Sequence, residues 1–260
     1  MIDIQGLRFA FPGEPPLVAD WSARIGPGIT LLHGDTGAGK SLLLRLLAGV
    51  QAADAGRLQI GDAVLADAPA RYRAQLFFVD PATQQFDQMT GQACLAQLAG
   101  ADADQPLRDA LVEGFGLAPH LEKSLYMLST GSRRKVWLAA ALAGRRPVVL
   151  LDEPAAALDQ GSVRCLWDAL AQIGATRGRT VVVASSEAIT SLPLAARIDL
   201  PLRLLSCARR ALAWPAEHRA PRRRPPPGPG RAPACCGAWV RDGSRRARPD
   251  GARRRTGCPG

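Results

Sequence analysis

The sequence predicts an α/β chain built on a parallel sheet with crossover helices, and three observations carry that expectation. Short apolar runs of strand length alternate with longer stretches of helical period between Ile29 and Ala184. Parallel strands and their covering helices follow one another in that order. One run, Ile29-Thr30-Leu31-Leu32, opens into a glycine-rich loop and then a leucine-rich helix. Another, Val148-Val149-Leu150-Leu151, ends on the adjacent acids Asp152 and Glu153. Folds of this class collect ligand groups at the carboxyl ends of their strands.

The elements follow in chain order. Ile2, Ile4, Leu7, Phe9 and Phe11 alternate loosely, as half-buried strands do, until Pro12-Gly13 and Pro15-Pro16 break the pattern. Gly26-Pro27-Gly28 marks a turn, Ile29–Leu32 a buried strand, and Ser41 onward a helix that Gly49 stops. Leu58 and Ile60 alternate with polar neighbours, and Leu76 to Val79 is a further apolar strand. Residues 88–127 have a mostly helical pattern that ends at the short polar segment Ser129 to Arg134. A helix over Val136–Gly144, a strand over Val148–Leu151, a helix near Val163–Ile173 and a strand over Thr180–Ala184 complete the series. The expected architecture is a parallel core with an antiparallel strand subdomain near the N-terminus and a helical insert at about 88–140.

Charge divides the chain in two. Arg203 to Gly260 contains 15 Arg against three acids, a net of +12, whereas residues 1–202 have a net of −2. The overall charge of +10 therefore belongs to the tail, and nucleic-acid binding is not expected of the body. In the body, Cys94 and Cys165 stand far apart with no metal-like partners; in the tail, Cys235-Cys236 lacks a nearby His or a second CxxC. The N-terminus has no basic segment followed by an apolar run, so no signal peptide is expected. No stretch approaches the ~18 apolar residues of a membrane helix, so a membrane role would need another chain.

The motif with the most chemistry is Gly34-Asp35-Thr36-Gly37-Ala38-Gly39-Lys40-Ser41, which fits GxxxxGK[ST] without a gap. Glycines let such a loop wrap round phosphates with backbone N–H groups pointing inward. Lys40 would neutralise the outer phosphates and Ser41 would ligate Mg²⁺. The strand–loop–helix context this chemistry needs is present. At the end of the later strand, Asp152 would hold Mg²⁺ through its water shell and Glu153 would polarise an attacking water.

A third motif separates families. Leu128-Ser129-Thr130-Gly131-Ser132 precedes a helix and lies 23 residues before Asp152. Here the chain resembles the ATP-binding cassette (ABC) family, whose LSGGQ signature occupies that place. Thr130 stands for a glycine and Ser132 for the glutamine; an ordinary Ser N-cap is the competing reading of Ser129. The resemblance implies a P-loop NTPase fold of the ABC type, ATP and Mg²⁺ as cofactors, and a homodimer or a heterodimer with another ABC subunit. Ser129 and Gly131 of one subunit would then close over the γ-phosphate held by the other. It further implies permease chains in the membrane as partners, and a cytoplasmic location on the inner face of the cell membrane. Phe11 lies where the family has an aromatic residue that stacks on adenine, with a place in the core as the competing reading. Ala157-Leu158-Asp159 matches the loop that communicates across the dimer.

Two positions depart from the family. Asp80 stands where a glutamine contacts Mg²⁺ and the attacking water, with Gln84 and Gln85 close behind; Ser186 stands where a histidine senses the γ-phosphate. His33 precedes the loop on a buried strand and reads as structural. Firm ATP binding with slow hydrolysis is the expectation, since catalysis here is mostly placement and electrostatics. A soluble ABC-type ATPase, or a regulatory ATP-binding module outside transport, is the alternative. The 88 residues from Ser41 to Ser129 leave no room for the coiled-coil arms of DNA-repair members, and a single copy does not match the translation-factor cassettes. Residues 1–202 are expected to form the ATP-binding domain. For 203–260 the readings are an out-of-frame translation of a GC-rich gene, an Arg-rich disordered arm, an inert linker, or a folded domain, with the first favoured.

Overall fold

Two sheets divide the strands, and the way each strand buries its side chains explains which sheet it joins. The computed structural model describes residues 1–176 and 178–202; the readings made of 203–260 lie outside the described residues. In chain order the elements are β1 Ile2–Phe9, β2 Val18–Ile25, β3 Gly28–His33, α1 Lys40–Ala48, β4 Ala55–Ile60, β5 Ala63–Val64, α2 Pro69–Ala74 and β6 Leu76–Phe77. There follow α3 Gly91–Ala99, α4 Gln105–Gly114, α5 Thr130–Ala143, β7 Val148–Asp152, α6 Gln160–Thr176, β8 Thr180–Ser185 and β9 Leu194–Asp199.

The core sheet has the order β6-β7-β8-β3-β9, every neighbouring pair parallel. Its central strands are apolar on both faces because both faces are covered. Val149, Leu151, Val181 and Val183 turn toward a cluster with α3, α5 and α6, while Val148, Leu150, Val182 and Ala184 turn toward α1 and the second sheet. That alternation is the strand period of two seen from inside the core.

The second sheet, β2-β1-β4-β5, is antiparallel. The loose alternation along β1 has a local cause. Ile2 and Ile4 are buried on even positions, Leu7 and Phe9 on odd ones. The pairing slips between Ile4 and Leu7, where Gly6 sits at φ +57°. One irregular residue reverses the phase, so both apolar pairs face the same core.

Between β6 and β7 lies the helical part. Val136 to Ala143 of α5 are all buried, and their alanines admit α3 and α4 closely. The carbonyls at the end of this helix have no intrahelical partner, and Arg179 supplies one: it donates to Ala141 O at 2.8 Å and Leu142 O at 2.9 Å. Burial, with Arg145 and Arg146 adding to it, lowers the Arg179 pKa to about 10. The guanidinium remains charged at neutral pH.

Some boundaries differ from the pattern-based expectation. The strand begun at Leu76 pairs only to Phe77, so Phe78, Val79 and Asp80 follow it as irregular chain. The helix expected from Val136 begins at Thr130, because Ser129 caps it. The helical stretch at 88–127 is two α-helices, α3 and α4, followed by two short 3-10 helices, Ala118–His120 and Leu125–Met127. Three elements have too little apolar period to announce themselves: β2 exposes every second residue, α2 buries Tyr72 alone, and β9 alternates along the sheet edge.

Candidate functional site

The glycine-rich segment does what its composition requires. Gly37 and Gly39 lie at φ +85° and +92°, where a side chain would be strained. At Gly39 a Cβ would also meet Leu17 Cδ2 at 2.7 Å, so the β1–β2 hairpin rests directly on the loop. Helix α1 starts at Lys40 with no side-chain cap and no acid in its first turn. Its first N–H groups and the positive end of its dipole therefore face the loop without a protein acceptor from the cap.

Lys40 is buried, and its Nζ donates to Gly34 O at 2.7 Å and Asp35 O at 3.1 Å. The same nitrogen pairs with Glu153 Oε1 at 3.3 Å. Glu153 begins the turn after β7, at φ +43°. Its Oε1 accepts the Ser186 N–H at 2.9 Å, and its own N–H donates to Ala184 O at 3.0 Å. Parallel pairing of β7 and β3 with β8 thus brings loop 34–41, Asp152, Glu153 and Ser186 to one end of the sheet.

Asp152 is held differently. Its Oδ1 is buried and, among the described residues, has no hydrogen-bond partner. Burial raises its pKa, Ser41 counters this by hydrogen bonding, Glu153 adds to it, and Lys40 and Arg134 oppose it. A buried carboxylate oxygen without a donor, beside a serine hydroxyl, is a donor set that suits a hard divalent cation.

The remaining predicted residues fall into two groups. Phe11 is 47% exposed and stands edge-on to Phe9, ring centroids 5.1 Å apart, so the core reading of this aromatic does not hold. Asp35, Thr36 and Ser41 are exposed on the same loop, with Ala38 half-buried. Ser129 is exposed and caps α5, accepting the Ser132 N–H at 3.1 Å and donating to Ser132 Oγ at 3.0 Å. A Cβ on Gly131 would run into the carbonyl oxygen of Ala157, itself at φ +62°. Among the described residues no hydrogen bond joins Ser129 or Gly131 to loop 34–41.

The two departures have their own partners. Asp80 pairs with Arg45 of α1, Oδ2 to Nε 2.8 Å, and its Oδ1 accepts the Ala82 N–H at 3.0 Å. Ser186 offers Glu153 its backbone N–H, and its side chain is exposed. Gln84 and Gln85 are exposed. His33 is half-buried, with Nδ1 3.3 Å from Ser185 O.

Three residues at the site went unread in the sequence. Leu17 lies in a proline-rich turn with no motif. Arg45 interrupts a run of leucines on α1, which is a visible signal. Arg134 sits in the run Arg133-Arg134-Lys135, and pattern alone does not say where each points. Arg133 pairs with Asp87 at 3.2 Å, and Lys135 with Asp159 at 2.6 Å. Arg134 Nη1 donates to Glu153 O at 2.9 Å and Ala156 O at 2.7 Å. Half-burial lowers the Arg134 pKa, and the charges of Asp152 and Glu153 oppose that shift.

No helix among the described residues is long and apolar enough to cross a membrane. A family model described as ABC transporter matches residues 19–156. The chain is 37% identical over 174 residues to the cytochrome c biogenesis ATP-binding export protein CcmA of Rhodospirillum rubrum, covering 65% of this chain and 74% of the relative. It is 30% identical over 210 residues to the taurine import ATP-binding protein TauB of Pseudomonas putida, covering 77% and 78%. A solved ATP-binding subunit of an ABC transporter superposes with a TM-score of 0.63 at 21% identity, over 71% of this chain and 79% of that one, a likeness of fold. With these matches over a P-loop α/β core, the chain belongs to the ABC transporter family as an ATP-binding subunit, an ATPase by family.

Proposed function

We propose that this chain binds Mg-ATP in the loop Gly34–Ser41 and uses its hydrolysis, at a low intrinsic rate, to drive transport through separate permease chains. The convergence of Lys40, Asp152 and Glu153 on one end of the parallel sheet carries the reading. The relatives' names include export and import ATP-binding proteins, and they support transport without selecting a direction. In this reading residues 1–202 are the ATP-binding domain, peripheral on the inner face of the membrane.

The roles follow from the contacts. Backbone N–H groups of loop 34–41 and the start of α1 bind the phosphates, and Phe11 offers an exposed ring for adenine. Ser41 and Asp152 would hold Mg²⁺, which supplies neutralising charge for the phosphates when bound. Phosphate oxygens compete with Glu153 for Lys40, so binding ATP releases the Glu153 carboxylate to take a proton from the attacking water. Ser129 and Gly131 stand at an exposed helix start and serve the site of a second subunit. Asp80, engaged by Arg45, and Ser186, with a backbone donor only, leave the attacking water less well ordered, which slows turnover.

The Glu153→Gln variant of the full chain tests the reading. With Mg-ATP it should elute as a dimer in size exclusion, while phosphate release drops by about a hundredfold or more, the scale of a lost general base. Parent and variant both monomeric at every ATP concentration would refute the shared-site mechanism.

A further inference from the structure

The segment between β7 and α6 carries the candidate base, yet it is irregular. Glu153 at φ +43° and Ala157 at φ +62° both take a left-handed conformation that side chains other than glycine rarely adopt. Something outside the segment must hold it. Among the described residues Arg134 is the side chain that donates to its backbone at two points, Glu153 O and Ala156 O, so one guanidinium spans both sides of Pro154-Ala155. Arg134 also lies close enough to Asp152 and Glu153 for both carboxylates to favour its charge.

Its position on the helix matters as much. Arg134 lies just over one turn beyond Ser129, on a helix that is buried from Val136 to Ala143. At the start of the same helix, Gly131 abuts the Ala157 carbonyl. The first turns of α5 and the turn 153–157 therefore meet at two places, one a pair of hydrogen bonds and the other a steric contact.

We infer that Arg134 is a positioning residue for ATP hydrolysis: it fixes the Glu153 turn and ties it to the end of α5 that carries Ser129 and Gly131. A shift of that helix end is then transmitted to the base through the two hydrogen bonds that Arg134 Nη1 makes to the turn. The inference rests on the reading of Glu153 as the base.

The test compares parent, Arg134→Ala, Arg134→Lys and Glu153→Gln in the full chain, reading kcat, KM, ATP affinity and melting temperature. Arg134→Ala should lower kcat by about ten- to hundredfold, the scale for a mis-set catalytic group. ATP affinity should hold within about threefold, because loop 34–41 is untouched. Arg134→Lys, which keeps the charge and N–H donors, should recover most of the rate. If Arg134→Ala does not fold, Arg134→Gln should show the same split between kcat and affinity. A dead Glu153→Gln beside an Arg134→Ala enzyme within about twofold of the parent kcat overturns the inference and leaves the base assignment standing. A fully active Glu153→Gln overturns the base assignment, and the inference with it. Equal losses of kcat, affinity and melting temperature, with no recovery in Arg134→Lys, would reduce Arg134 to a structural contact.

Discussion

The loop 34–41 and the two sensor positions at Asp80 and Ser186 approach the same end of the sheet in opposite conditions. Around the loop, donors are concentrated and weakly committed: an uncapped helix start, glycines that bring the backbone close, and a buried Lys40 whose acceptors are two carbonyls and Glu153. At the sensor positions the side chains are committed elsewhere or turned outward. Asp80 is locked to Arg45 and its own turn, and Ser186 contributes only its backbone. In the proposed reading, phosphate grip and the timing of hydrolysis thus rest on separate residues, and one can be intact while the other is reduced.

Lys40→Ala should have the largest effect. It removes a buried cation that has no substitute in the loop, and Mg-ATP affinity should fall by at least about a hundredfold, roughly 2.8 kcal/mol. Calorimetric titration gives the number directly; an affinity within about twofold of the parent would place the nucleotide elsewhere.

Restoring both sensors acts on the other half of the contrast. The double variant Asp80→Gln with Ser186→His should raise kcat by about tenfold, or ~1.4 kcal/mol of barrier, with ATP affinity unchanged within a few-fold. Steady-state ATPase rates decide it, with Glu153→Gln as the inactive control. Because Asp80 holds Arg45, the same variant also reports whether that ion pair constrains the segment after β6. A rate no faster than the parent would mean that the sensor positions do not limit turnover.

A last effect, read as stability, is expected where the start of α5 meets the turn 153–157. Gly131→Ala places a methyl group against the Ala157 carbonyl, a position the chain can relieve only by moving the turn or the helix start. A cost of about 1–3 kcal/mol is typical of such overpacking. Scanning calorimetry should show a melting temperature lower by several degrees, about 2–4 °C per kcal/mol in a domain of this size. An unchanged melting temperature would show that the contact is slack.

Legibility followed the same division. The glycine-rich loop 34–41, the adjacent acids at the end of β7 and the parallel core were readable because each depends on local chemistry. Contiguous residues must form a strand, a turn with left-handed glycines and a helix, and the spacing of GxxxxGKS encodes that directly. The apolar runs were readable because a strand covered on both faces has no polar positions to spare. Phe11 was ambiguous for the converse reason: apolar character does not say whether a residue near a turn points in or out, and here the hairpin leaves it exposed.

By itself, then, the sequence determined the family, the parallel-core fold class and the motifs proposed to grip phosphate and metal, all of them properties of short contiguous segments. Only the tertiary structure decided what long side chains reach. It joined Arg45 to Asp80 across 35 residues, Lys40 at the start of α1 to Glu153 in the turn after β7, and Arg134 to the backbone of the Glu153 turn. Such pairings depend on how the packed elements are set against one another. A run such as Arg133-Arg134-Lys135 presents three cations to three directions, and only the fold supplies Asp87, the Glu153 turn and Asp159 as their separate ends.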